Sequence, residues 1–145
     1  DSQIILLSAN TLAGKNGIGL KSVIENRLQD TKCRGVYESP GMDLIALGLA
    51  TLRQAYFDKE STVQCSHLSV VLGKAIYQGL FDTEDTKLLR EEGLKLAEQL
   101  SGTVKLKLYR GSMLAVSVTH LKKHAYHLHQ KRFADGGHVW INADV

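Results

Sequence analysis

A short span of the 145-residue chain, residues 24–40, is dense in side chains that could bind a small polar ligand. Its central pair is Glu25 and Tyr37, because a carboxylate and a phenol together suit a substrate ammonium or a polar ureido-type group. We expect Glu25 near the start of a helix and Tyr37 just past its end, where both could converge on one ligand. The alternative is a solvated helix face with a tyrosine in the core. Glu25 and Arg27 would lie on different faces of that helix, so we do not expect them to pair.

A second candidate is the glycine-rich segment AGKNGIG at residues 13–19, between an apolar run and the expected helix. Glycines there would let the backbone approach a ligand closely, and the helix N-terminus would favour an anion. The segment lacks the Gly-Lys-Ser/Thr ending of a phosphate-binding loop and does not match the dinucleotide-binding pattern. A simple connecting turn is the alternative interpretation.

Three histidines, His120, His124 and His127, share one helix face, a spacing that can hold a transition metal. No carboxylate or cysteine is near them, so we expect a surface segment or a subunit contact and no metal site. The two cysteines, Cys33 and Cys65, have no CxxC partner, and each is expected to be a small buried residue. So few cysteines also indicate a reducing, cytoplasmic compartment.

Charge is unevenly distributed along the chain, although the net charge is only +3. Residues 103–133 hold seven basic side chains and no acidic one. Such a stretch could meet phosphates or an acidic partner subunit, or could simply be a solvated face. The composition, 43% hydrophobic and 23% charged, excludes a disordered chain. No apolar run approaches the length that spans a bilayer, so we expect no membrane association.

The elements that must position these side chains are predicted from hydrophobic spacing to form an α+β fold with segregated elements. The apolar run at residues 3–9 indicates an N-terminal strand. About four helices are expected, over residues 20–31, 40–56, 61–80 and 83–100. Alternation over residues 104–118 predicts a β-hairpin that turns at Arg110 and Gly111, and a short strand is expected at 138–142. No composition shift marks an internal boundary, so residues 1–145 are predicted to form a single domain.

Residues 13–40 resemble the C-terminal synthetase domain of argininosuccinate synthase. That family has a glycine loop, then a Glu-Asn-Arg helix, then an Arg-Gly-x-Tyr-Glu-x-Pro segment. The same motifs stand here in the same order, as AGKNGIG at 13–19, IENR at 24–27 and RGVYESPG at 34–41. The resemblance extends from about residue 4 to residue 118 and fades in the tail.

The resemblance implies the C-terminal domain of a ligase that joins citrulline to aspartate with ATP in arginine biosynthesis. In that reaction the ureido oxygen of citrulline attacks the α-phosphate of ATP and releases pyrophosphate, and the aspartate amine then displaces AMP. Glu25 and Tyr37 would bind citrulline, while Asn26, Arg27 and Arg34 would position their segment. The domain would also contribute contacts to a homo-oligomer, since the family is tetrameric.

The resemblance also implies limits on what these residues do alone. The Ser-Gly-Gly-x-Asp-Thr/Ser loop of the family's ATP-binding domain is missing from the sequence, so ATP, with Mg²⁺, would bind mainly to a domain absent from these residues. The chain is therefore not expected to be active alone. Three positions depart from the family pattern: Asn16 replaces a histidine, Ser22 an aspartate and Cys33 a serine.

The alternative function is a noncatalytic interaction module that is derived from this domain and uses the basic stretch at 103–133 against an acidic partner. Nucleic-acid binding through that stretch is a weaker option, because its aromatic residues are few and no common binding motif surrounds them. The residues that precede Asp1 would discriminate, since an ATP-binding domain there favours the enzyme.

Overall fold

A computed structural model describes residues 1–119. They form four helices and two antiparallel β-hairpins, which confirms the α+β class. In chain order the elements are α1 (Ser2–Lys15), β1 (Leu20–Asn26), β2 (Lys32–Glu38), α2 (Pro40–Tyr56), α3 (Lys59–Tyr77), α4 (Glu84–Glu98), β3 (Thr103–Tyr109) and β4 (Ser112–Thr119). The strand expected at 138–142 and the histidines from His120 onward lie outside the described residues.

Residues 3–9 belong to helix α1, so the prediction of an N-terminal strand is wrong. The Asp1 side chain caps this helix by accepting a 3.0 Å hydrogen bond from the Gln3 backbone N–H. A short apolar run does not by itself distinguish a buried strand from part of a helix. The buried face is formed by two small residues at helical spacing, Ala9 and Ala13, while several larger residues of the run are exposed.

The helix predicted to start at residue 20 is also wrong, because β1 and β2 pair there as an antiparallel hairpin. Leu20 and Ile24 satisfy a helical spacing, but positions an even number apart also share one face of a strand. The turn decides between the two: the Arg27 N–H donates to the Thr31 carbonyl at 2.8 Å, and Asp30 adopts a positive φ of 56°. Aspartate tolerates that left-handed conformation better than most residues, so the chain reverses.

The glycine segment at 13–19 connects a helix to a strand, so the helix N-terminus expected to follow it is not there. Gly19 has a φ of 98°, and a Cβ at this position would lie 2.4 Å from the Pro40 backbone nitrogen. Only glycine fits this crossing. The Asn16 carbonyl accepts a 2.6 Å hydrogen bond from the Gly111 N–H, which joins the loop to the turn between β3 and β4.

Helix α2 begins at Pro40, as predicted, and its first turn is tied to α1. Oδ1 of Asn10 accepts a 2.7 Å hydrogen bond from the Gly41 N–H. A side chain of α1 therefore satisfies one of the free donors at the start of α2. Ser39, which precedes the helix, donates its hydroxyl to Asp43 at 3.3 Å.

Two compact units divide the described residues: Asp1–Thr51 with Val104–Ser117, and Leu52–Thr103 with residues 118 and 119. The first unit buries Ala9, Ala13 and Ile18, and the second buries Ala55, Tyr56 and Leu68. Each unit thus has a small core of its own. Among residues 1–119, no helix has the combination of length and apolar character that crossing a membrane requires.

The remaining elements agree with the sequence-based prediction. Helices α3 and α4 occupy the two later helical segments, and Thr83 is the N-cap of α4. The hairpin of β3 and β4 is confirmed, and its turn residues Arg110 and Gly111 have positive φ values of 43° and 82°. Such a two-residue turn matches the twist of antiparallel strands. Lys105 and Lys107 occupy exposed positions of β3.

Candidate functional site

The hairpin of β1 and β2 brings the predicted ligand-binding pair onto one face. Glu25 lies opposite Cys33, and Lys21 lies opposite Tyr37. Since side chains alternate along a strand, all odd-numbered residues of this hairpin share a face. Glu25 and Tyr37 are therefore on the same face, and one cross-strand pair of that face, Val23 and Gly35, lies between them. The structure brings the two side chains together on strands, where a helix was expected, and their convergence on one ligand stays a prediction.

Tyr37 closes the remaining gap by lying back along the hairpin. Its hydroxyl donates a 2.6 Å hydrogen bond to Oε1 of Glu25. The ring passes over Gly35, whose missing side chain leaves the space that the ring occupies. The Tyr37 side chain is accordingly not in the core, and the residue is 44% exposed. The alternative of a core tyrosine is therefore wrong.

Glu25 is the centre of a small polar cluster. Besides the Tyr37 hydroxyl, its Oε1 accepts a weak hydrogen bond from the Cys33 thiol at 3.6 Å. A guanidinium nitrogen of Arg27 lies 3.4 Å from the same oxygen. All three contacts end on Oε1, and Oε2 receives none of them. The expectation that Glu25 and Arg27 do not pair is wrong, because positions two apart share a face of an extended strand.

The contact between the phenol and the carboxylate shifts both acidities in opposite directions. The Tyr37 hydrogen bond, helped by the Cys33 thiol and the Arg27 charge, lowers the pKa of Glu25 from its ordinary value of 4.5. The hydrogen bond to Glu25 raises the pKa of Tyr37 above its ordinary value of 10.0. At neutral pH the cluster therefore holds one carboxylate anion beside a neutral phenol.

The hydroxyl of Tyr37 donates its one hydrogen to Glu25. Toward a ligand, the phenol oxygen can therefore act only as a hydrogen-bond acceptor. A ligand at this site meets two adjacent acceptors, the phenol oxygen and Oε2 of Glu25, and a carboxylate charge beside the Arg27 guanidinium. The two acceptors suit a group rich in N–H donors, such as an ammonium or a ureido NH₂.

The other predicted residues lie on the opposite face or at the turn. Arg34 is on the even-numbered face, where its Nε donates a 3.0 Å hydrogen bond to Ser22 Oγ. Asn26 is the last residue of β1 and pairs with Lys32. Arg34 therefore joins the two strands and does not contact the Glu25 cluster. Its predicted positioning role, and that of Asn26, stay predictions.

Three members of this hairpin face were not singled out as site residues from the sequence: Cys33, Gly35 and Lys21. Lys21 makes a salt bridge to Asp43 and so fastens β1 to the first turn of α2. Cys33 is half-buried, beside the carboxylate, where a fully buried residue was expected. A strand alternation of period two through residues 21–25 and 33–37 is the signal that would have found all three.

Within residues 1–119, no group of three or more His, Cys, Asp and Glu side chains is arranged to hold a metal ion. The three histidines considered for metal binding lie outside the described residues. The described part of the chain therefore offers the Glu25–Tyr37 hairpin face as its candidate ligand site.

Comparison with known proteins gives a consistent result. The family model for the arginosuccinate synthase C-terminal domain matches residues 2–135. An argininosuccinate synthase of Clostridium botulinum (strain Eklund 17B / Type B) is 33% identical over 137 residues, which cover 94% of this chain and 33% of that protein.

Two further relatives agree with that match. The argininosuccinate synthase of Clostridium acetobutylicum is 38% identical over 114 residues, covering 79% of this chain and 28% of that protein. The enzyme of the same name from Buchnera aphidicola subsp. Schizaphis graminum is 33% identical over 128 residues, covering 88% of this chain and 31% of that protein. The chain thus spans about a third of the length of the curated relatives it matches.

Proposed function

The chain belongs to the argininosuccinate synthase family, and from that premise we propose that it supplies the citrulline-binding wall of such an enzyme. The observation that carries the proposal is the 2.6 Å hydrogen bond between Tyr37 and Glu25 on one hairpin face. The two residues are the ones that the family resemblance assigns to citrulline. Binding here would serve the ATP-dependent ligation of citrulline and aspartate.

The chemistry of the cluster supports citrulline as the ligand. Citrulline carries an α-ammonium and a ureido group, and both present N–H donors. Oε2 of Glu25 and the phenol oxygen of Tyr37 offer the matching acceptors, because the other carboxylate oxygen already receives three contacts. A charge-assisted hydrogen bond from the ligand to the carboxylate is stronger than a neutral one.

The proposed role is to bind and orient, and no proton transfer is assigned to these residues. In the ligation, the ureido oxygen attacks the α-phosphate of ATP, so that oxygen must point toward the nucleotide. A hairpin face that holds citrulline through its N–H groups leaves the ureido oxygen available for attack. Such positioning lowers the barrier by fixing the reacting groups in place before reaction.

We do not assign nucleotide activation to these residues. The glycine segment at 13–19 lacks the Gly-Lys-Ser/Thr ending of a phosphate-binding loop and leads into a strand. The segment therefore does not fit ATP, and we propose that ATP and Mg²⁺ bind mainly outside these residues, in the longer enzyme.

We also propose that the chain works within a homo-oligomer in the cytoplasm. The exposed apolar residues of α1 support an assembly, because large side chains grouped on one helix are usually covered by another surface. They are Ile4, Ile5, Leu7 and Leu12, each more than half exposed.

Calorimetry with citrulline on the full-length protein that carries these residues tests the proposal. Glu25→Gln removes the charge with little change in shape, and we expect the Kd for citrulline to rise about ten- to a hundredfold. Glu38→Gln is the matched control, since Glu38 is a carboxylate of the same hairpin, at the end of β2 on the even-numbered face. Equal citrulline affinity in the two variants would overturn the assignment.

An interaction module is the second candidate, favoured by the exposed positions of Lys105 and Lys107 on β3. Those charges could meet an acidic partner subunit. Calorimetry of the unaltered protein with citrulline distinguishes the two functions, because a module without citrulline binding would show no signal. The enzyme proposal expects binding, and expects the affinity to stay unchanged when both lysines are replaced by glutamate.

A further inference from the structure

Gly35 occupies the centre of the candidate site face, opposite Val23 and between Cys33 and Tyr37 along β2. A Cβ on Gly35 would lie 2.5 Å from Cε2, 2.8 Å from Cζ and 2.9 Å from the hydroxyl oxygen of Tyr37. Real Cβ atoms do not approach other heavy atoms so closely. The phenol ring therefore fills the volume that any side chain at this position would take.

Backbone conformation does not explain why this residue is glycine. Within residues 1–119 the glycines with positive φ are Gly17, Gly19, Gly79 and Gly111. Gly35 is not one of them, and it sits in a regular antiparallel ladder. Glycine inside a strand weakens it, and it often marks a place where another group approaches the backbone closely. At Gly35 the approaching group is the ring of Tyr37.

We propose that Gly35 is a positioning residue of the citrulline site: its empty side-chain volume lets the Tyr37 ring lie along the hairpin and deliver its hydroxyl to Glu25. This inference rests on the proposed citrulline function for its role in the enzyme. The geometric part stands independently, because it follows from the distances among these three residues alone.

The same geometry separates a local effect from a loss of fold. The atoms that a Cβ would meet are at the far end of the Tyr37 side chain, so rotation of that side chain relieves the clash without moving the backbone. The strand register of the hairpin would be kept. A side chain at position 35 would therefore remove the contact with Glu25 and leave the hairpin paired.

The experiment compares Gly35→Ala with Val36→Ala in the full-length protein. Val36 is the next residue of β2, 64% exposed on the opposite face, and serves as the matched control. Tyrosine labelled with ¹³C at Cζ reports phenol ionisation by NMR, and Tyr37→Phe identifies the Tyr37 resonance. We expect the pKa of Tyr37 to fall toward its ordinary value in Gly35→Ala and to stay raised in Val36→Ala. An unchanged Tyr37 titration in Gly35→Ala would overturn the positioning role.

A double-mutant comparison of citrulline affinity then separates positioning from general damage. Gly35→Ala should raise the Kd about threefold to tenfold, matching Tyr37→Phe. When Gly35→Ala is combined with Tyr37→Phe, we expect no further loss of citrulline affinity, because the Tyr37 hydroxyl is already absent. Fully additive losses would contradict the positioning role. A Tyr37 titration that shifts while citrulline affinity does not change would support the positioning and overturn the proposed citrulline function.

Discussion

The Tyr37 hydroxyl and Oε1 of Glu25 lie 2.6 Å apart although the residues are twelve positions apart in sequence. The hydrogen bond spans a whole cross-strand pair, Val23 and Gly35, because the phenol ring lies along the hairpin. A side-chain contact of this reach couples the ionisation of the carboxylate to the presence of the hydroxyl. It therefore gives the site a measurable signature before any ligand is added.

Removing the hydroxyl should change the acidity of Glu25. In Tyr37→Phe the main cause of the lowered pKa is lost, so we expect the pKa of Glu25 to move up toward 4.5. A carboxyl ¹³C titration by NMR measures this, with Tyr109→Phe as the control at an exposed tyrosine of β3. If the Glu25 titration is the same in Tyr37→Phe and in the unaltered protein, the hydrogen bond does not form in solution.

The contact should also stabilise the fold over a defined range of pH. A lowered pKa means that Glu25 contributes stability that is complete above about 4.5 and is lost as the pH falls through the lower, folded-state value. The raised pKa of Tyr37 means that its contribution is complete below about 10.0 and is lost at still higher pH. Urea unfolding of the unaltered protein and Tyr37→Phe should differ most between these limits. A difference that grows below pH 4 would contradict the assignment.

The cap that α1 provides to α2 should be measurable by mutation. Asn10→Ala removes the acceptor of the Gly41 N–H, and we expect a loss of about 1 kcal/mol in the free energy of unfolding. Asn10→Asp should retain the stability, because a carboxylate also accepts this bond and suits a helix N-terminus. Thr11→Ala is the control, since the exposed Thr11 hydroxyl bonds only within α1, to the Leu7 carbonyl. Equal effects of Asn10→Ala and Thr11→Ala would exclude a capping role.

The sequence predicts the later elements of this fold better than the earlier ones, for identifiable reasons. Pro40 and the turn at Arg110 and Gly111 are local signals that fix an element boundary by themselves. The apolar run at 3–9 is short, its capping residue is the single Asp1, and the buried face of α1 consists of two alanines, so the run resembles a strand. The spacing of Leu20 and Ile24 fits both a helix and a strand, so only the turn geometry separates them.

The sequence predicts the central pair of the candidate site but not the contacts of the residues around it. The chemical match of Glu25 and Tyr37 is visible in the sequence, and the structure brings them together. The Cys33, Gly35 and Arg27 contributions depend on strand alternation, which a helical interpretation of the segment hides. A correct expectation that Glu25 and Tyr37 lie together was therefore combined with a wrong element, and the wrong element concealed their neighbours.

The close approach of the Pro40 backbone to Gly19 predicts that position 19 tolerates only glycine. Gly19→Ala places a Cβ 2.4 Å from a backbone nitrogen at a φ of 98°, so we expect a loss of about 2 kcal/mol or more in unfolding free energy. Gly48→Ala is the matched control, because Gly48 lies within α2 with nothing inside 4 Å of its Cβ position. That control should gain about 0.5–1 kcal/mol through helix propensity. Denaturant unfolding that shows Gly19→Ala to be neutral would rule out this crossing.

Substitutions at Cys33 should also change the pKa of Glu25, because the Cys33 thiol contacts the same oxygen of Glu25 as the phenol does. A hydroxyl donates a shorter and stronger hydrogen bond to a carboxylate than a thiol does. Cys33→Ser should therefore lower the pKa of Glu25 further, whereas Cys33→Ala should raise it, since the thiol contributes to the present lowering. A carboxyl NMR titration of both variants, with Cys65→Ser as the control cysteine on α3, measures the difference. A Glu25 pKa that rises in Cys33→Ser would show that residue 33 does not donate to the carboxylate.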